Sequence, residues 1–94
     1  MYFITTIDPK DNDIRCVGYF SDKDMAIEVV KNNIGDIYEA GCYPYVVIEH
    51  IPEGIYQYDM EPLWFTYIEK TQKYQPCATP LFIRKEHMVG FAIG

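Results

Sequence analysis

Residues 2–7 (YFITTI) open the chain with a run of β-branched and aromatic side chains, the composition of a half-buried pleated strand. Asp8-Pro9-Lys10-Asp11-Asn12-Asp13 then strings turn formers together, and residues 14–20 resume as a strand. The pattern predicts a β-hairpin over residues 2–20. Ser21 has the chemistry of a helix N-cap, with Asp24 three residues on and Asp22 placed to favour the positive end of the helix dipole. Phe20 and Met25 have the spacing of a hydrophobic staple. Ala26, Val29, Val30 and then Asn33 or Ile34 recur at helical steps and give one apolar stripe, which Asn32-Asn33-Ile34-Gly35 ends. Asp36 opens a further turn or two through Glu39, before Gly41.

Residues 43–51 (YPYVVIEHI) form the clearest strand, and the continuous apolar centre Val46-Val47-Ile48 predicts an interior strand covered on both faces. Pro52-Glu53-Gly54 is a turn, and residues 55–58 read as a short extended piece. Residues 63–68 (LWFTYI) are another strand, residues 69–73 a polar hairpin tip, and Tyr74-Gln75 the return. Pro76 and Pro80 bracket a loop or edge segment, because proline donates nothing to a ladder. Residues 81–83 and 88–93 complete the strands. One helix among five or more short strands predicts a single α+β domain over residues 1–94, an antiparallel sheet of about five strands with the helix packed on one face.

A helix is about 10–12 Å across and strands are about 4.7–4.9 Å apart, so one helix shields two or three strands. Fifteen aromatics, nine of them tyrosine, exceed what one small core needs. Either the sheet curls strongly over itself, or its uncovered face is buried by a second copy of the chain, a partner or a ligand, and a homo-oligomer is the expected form.

Charge narrows the partners. Eight basic against fourteen acidic residues give −6, which argues against binding nucleic acid or an anionic membrane surface. The first sixty-nine residues carry thirteen acids and four bases, and the last twenty-five carry four bases and one acid. The two halves either neutralise each other or present different partners. No apolar run exceeds four residues, so neither a membrane span nor a signal peptide is expected. Cys16, Cys42 and Cys77 are odd in number and far apart, which suits a reducing cytoplasm and small apolar roles better than a disulfide framework.

Catalytic chemistry finds little footing. His50 and His87 are the only histidines, no hydrolase-type motif surrounds Ser21 or the cysteines, and Glu49 and His50 point to opposite faces of one strand. No standard metal-ligand spacing and no phosphate-cradling glycine loop occurs, so no catalytic residue, metal or cofactor is expected. The remaining candidate is a binding site. Trp64, Tyr67 and Tyr74 share a predicted hairpin with Lys70 and Lys73, and Arg84 and Lys85 follow. Aromatic faces stack on flat rings while Lys and Arg neutralise phosphate, a combination suited to a small anionic, nucleotide-like ligand. A structural reading of the same residues puts Trp64 in the core and leaves the lysines as solvated hairpin-tip charges.

The stretches YFITTI, YPYVVIEHIPEGIY, the Trp64 to Pro76 segment and the terminal VGFAIG resemble a group of short uncharacterised proteins from gut Firmicutes and from their phages and mobile elements. The resemblance covers most of the chain and implies a cytoplasmic protein of a bacterial or phage-infected cell, with no activity to carry over. Two functions follow as expectations. One is a non-enzymatic oligomer that sequesters a nucleotide-like signal. The other is an acidic module that binds and inhibits a host protein, its negative first part meeting a basic surface.

Overall fold

A computed structural model describes residues 1–11, 13–51 and 62–80. Strand β1 (Tyr2–Asp8) and strand β2 (Asp13–Phe20) form the expected hairpin, followed by helix α1 (Lys23–Lys31). A single 3₁₀ turn (Glu39–Gly41) precedes β3 (Tyr45–His50), β4 (Leu63–Ile68) and β5 (Lys73–Cys77). All neighbours are antiparallel in the order β2-β1-β3-β4-β5. The α+β fold read from the sequence is the fold observed. The strands expected at residues 55–58, 81–83 and 88–93 lie outside the described residues.

β3 is central, as its apolar run requires: Val46, Val47 and Ile48 are all buried. β2 and β3 flank β1 and both run against it, so the link between them must cross β1, and α1 makes that crossing over one face. Ala26 and Val30 of the helix pack with Ile4, Val46, Ile48, Phe65 and Tyr74 into the main core. On the opposite face Ile7, Val47 and Trp64 form a second buried cluster, edged by Ile14, Tyr45 and Cys77. Of the alternatives for that face, burial within one chain holds at its centre.

The helix start also differs from expectation. Asp22, not Ser21, is the N-cap: its carboxylate accepts from the backbone N–H of Asp24 at 2.8 Å and of Met25 at 3.4 Å. With the cap one residue later the Phe20–Met25 staple is out of step. Met25 is left 54% exposed while Phe20 packs against the main core. Pro76, expected to bracket a loop or edge segment, sits within the edge strand β5 opposite Phe65, where its missing N–H breaks no ladder. Among the described residues no helix is long and apolar enough to cross a membrane.

The cap assignment makes a direct comparison possible. Asp22→Ala should lower stability by about 1 kcal/mol, whereas Ser21→Ala should leave it within about 0.5 kcal/mol, measured as urea midpoints at constant m-value.

Candidate functional site

The residues nominated from the sequence separate in space. Trp64 and Tyr67 stand at odd spacing on β4, so Trp64 enters the helix-free cluster while Tyr67 lies on the helix side. They form no common aromatic platform. Trp64 is 3% exposed, and its Nε1–H has no hydrogen-bond partner among the described residues. Tyr74 pairs with Tyr67 across the β4–β5 ladder but is buried, and its hydroxyl donates to the Tyr43 carbonyl. Lys70 and Lys73 are exposed, the first in the hairpin turn and the second at the start of β5 opposite Ile68. Arg84 and Lys85 lie outside the described residues.

Where α1 ends, residues 32–44 continue the roof over the helix side of the sheet. Tyr38 from this segment stacks on Tyr67 with 3.5 Å between ring centroids and 5° between planes, and both rings meet Tyr74 edge-on. Burial pushes the Tyr74 hydroxyl well above the ordinary phenol range, and the neighbouring Tyr38, Tyr67 and Asp36 push it the same way. Tyr67 is raised by desolvation, then by Tyr38, Asp36 and Glu69. Beside the stack is an open hollow of about 550 Å³ whose lining includes Asn32, Asn33, Asp36, Glu69 and Gln72. Carboxylates and amides without a cation make this a poor seat for a phosphate.

A second hollow lies at the other side of the same segment. Ile4 pairs with Gly18 and Thr5 with Cys16, which leaves Val17 as the extra residue of a β-bulge in β2. Gly18 contributes no side chain to the helix side, and a Cβ built there would meet nothing within 4 Å. The result is a groove of about 450 Å³, floored by Ile4, walled by Phe20, Val29 and Ile37, and rimmed by Val17 and Ile34. Val17 and Ile34 are 42% and 54% exposed, and neighbouring Tyr19 is 61% exposed. At one end Arg15 and Glu39 form an ion pair of 3.0 Å, both largely solvated and so worth little. Beyond it the Tyr43 hydroxyl donates to Asp13 at 2.8 Å, and that hydrogen bond is the main reason the phenol is raised. A glycine inside a predicted strand signals a bulge or an open approach to the backbone, and that signal at Gly18 was available in the sequence. Val17 and Ile34 carried none, because their exposure depends on the bulge and on where the helix stops.

The segment that walls both hollows is strained. Asn33, Asp36, Glu39 and Ala40 all have positive φ between 48° and 54°, and the backbone of Ala40 is left-handed at φ 54°, ψ 39°. The Tyr38 N–H donates to Asn33 Oδ1 at 3.0 Å, and the tyrosine stack fixes the segment from the other side. Neither histidine nor cysteine chemistry converges here. His50 stacks on Tyr2 at 4.3 Å, far from Cys16 and Cys42, which are exposed, and burial raises the Cys77 thiol. Among the described residues no group of three or more His, Cys, Asp or Glu could hold a metal ion.

Two outcomes are expected. Ala40→Gly should raise stability by roughly 0.5–1 kcal/mol in denaturant titration, because glycine adopts that backbone without a Cβ clash. The raised Tyr74 pKa makes its contribution complete below the unfolded value of 10, and that contribution is lost as pH climbs above it. Urea midpoints between pH 8 and 11 should therefore fall steeply at the alkaline end (a range of about three pH units), and Tyr74→Phe should flatten that fall.

Protein-family models, curated proteins and solved structures provide no match to this chain, so what the groove does is read from its own geometry.

Proposed function

We propose that the protein is a non-enzymatic, acidic interaction module that docks a partner protein at the groove over Gly18. The observation that carries this reading is the glycine itself. Glycine in a strand interior costs about 0.5–1 kcal/mol relative to alanine, yet no neighbour occupies the space a side chain would take. That opening leaves a hollow above buried Ile4, between exposed Val17 and Ile34. Residues 8–39, which carry β2, α1 and the wall of the groove, hold eight acids and four bases, so the surroundings favour a basic partner surface. The resemblance to phage and mobile-element proteins makes a host protein of the bacterial cytoplasm the partner class.

The alternative is an oligomer holding a small anionic, nucleotide-like ligand. It draws on the Tyr67 ring and on Lys70 and Lys73 at the exposed β4–β5 turn. Asp36 and Glu69 beside that ring oppose an anion, and Trp64 is on the other face. The docking reading has the better support.

Affinity capture from bacterial lysate, run with the native chain and with Gly18→Leu, tests it. The leucine fills the groove without a backbone clash, so the variant should melt no lower than the native chain. The native chain should retain one partner at near-equal molar amount, released as salt rises towards about 0.5 M, and the variant should lose it. Equal recovery by the variant would refute the docking site. Heat on titration with cyclic nucleotides or ADP-ribose derivatives would instead favour the ligand reading.

A further inference from the structure

We propose that residues 35–42 are a strap that opens and closes as one unit over the helix side of the sheet while the sheet itself stays folded. The identity of any docked partner plays no part in this. Two glycines in left-handed backbone mark the ends of the strap, Gly35 at φ 74° and Gly41 at φ 112°, where a chain can swing without a Cβ clash. Among the described residues, four of the five non-glycine positions with positive φ are Asn33, Asp36, Glu39 and Ala40. Asn and Asp take that backbone readily, whereas Glu39 and Ala40 are held in it against their preference. Opening relieves them, so the closed position stores strain that favours release.

The hydrogen bonds decide how much must break. Asp36 N–H donates to the Asn33 carbonyl, Glu39 N–H to that of Asp36, and Cys42 and Tyr43 N–H both to that of Tyr38, at 3.0 to 3.1 Å. Tyr38 N–H donates to Asn33 Oδ1. Each bond is a local turn, and none reaches a strand. The Tyr67 N–H to Pro44 carbonyl bond, which does tie this region to the sheet, lies beyond the strap. Opening therefore leaves every ladder intact. Three consecutive side chains fasten the strap down: Ile37 in the core, Tyr38 on the Tyr67 ring, and Glu39 in its solvated pair with Arg15. Neighbours this close let go together. Closed, the strap gives Asp36, Ile37 and Glu39 to the groove over Gly18, and Asp36, Tyr38 and Ala40 to the hollow beside Tyr67. It is the partition between the two, and the groove has that wall only while the strap is closed.

Amide hydrogen exchange of the full chain, resolved by residue, tests this. The N–H groups of Asp36, Tyr38, Glu39, Cys42 and Tyr43 should share one opening equilibrium, with protection at least about tenfold below that of Val46, Val47 and Ile48 in β3. Their exchange should respond only weakly to low concentrations of urea, because opening exposes little of the surface that global unfolding does. Tyr38→Ala should remove most of the protection of the other four amides, while those of β3 stay at least about tenfold better protected than the strap. Ala40→Gly, which relieves strain only in the closed position, should slow strap exchange about two- to fivefold. Strap amides that exchange at the β3 rates, or that open each with its own equilibrium, overturn the proposal. So does a Tyr38→Ala variant in which β3 loses its protection together with the strap, or faster strap exchange in Ala40→Gly.

Discussion

A nine-residue helix cannot roof a five-stranded sheet. The helix is about 14 Å long, and the axes of the outer strands lie roughly 20 Å apart. The rest of the architecture answers that shortfall. Residues 32–44 take over where α1 ends, and because they are not a helix they must place apolar cover by individual side chains: Ile37 into the core and Tyr38 flat against Tyr67. Tyr74 beneath them is buried and hydrogen-bonded to the Tyr43 carbonyl, so the same segment is held by its own core contact. The run of left-handed residues is the conformational cost of turning a chain that sharply over a sheet, offset by the stacked rings and the Asn33 contact.

An irregular roof leaves gaps where a helix would not. One gap lies beside the tyrosine stack and is lined by amides and carboxylates; the other lies over Gly18, where Ile4, Phe20, Val29 and Ile37 meet the charged Arg15, Asp36 and Glu39. Their chemistry differs because the segment crosses from the amide- and carboxylate-rich end of α1 to the bulged edge of the sheet. Of the polar ties across that edge, the Arg15–Glu39 pair is solvated and sets position more than stability, while the hydrogen bond from buried Tyr43 to Asp13 is partly shielded. The groove therefore has a firm floor in Ile4 and a rim tied at one end by a solvated ion pair. That combination suits a surface that receives another chain better than a closed pocket for a small molecule.

Aromatic abundance proved a poor guide to exposed surface. Trp64 went to the helix-free cluster, Tyr43 and Tyr74 to buried positions, and Tyr38 and Tyr67 to each other. A tyrosine can be interior when its hydroxyl finds a backbone acceptor, as Tyr74 does, and composition records no hydroxyl's partner. Two residues three apart on a strand, Trp64 and Tyr67, are close in sequence and on opposite faces in space, so grouping them into one site overlooked the alternation of the pleat. The helix cap was misplaced by one residue because Ser21 and Asp22 are both good caps, and only the backbone geometry selects between them.

What the sequence by itself determined is the set of elements and their class. Strand periodicity, turn chemistry and one amphipathic stripe are local properties, and they specify a hairpin, a helix, a buried central strand and a second hairpin without reference to anything distant. What only the tertiary structure decided is register and cover: which residue is squeezed out as the bulge at Val17, that Gly18 comes to lie over Ile4, and that residues 32–44 rather than more helix close the roof. Those outcomes come from pairing and packing between residues far apart in the chain. Their energies belong to the contact and not to either residue alone, so no local pattern encodes them.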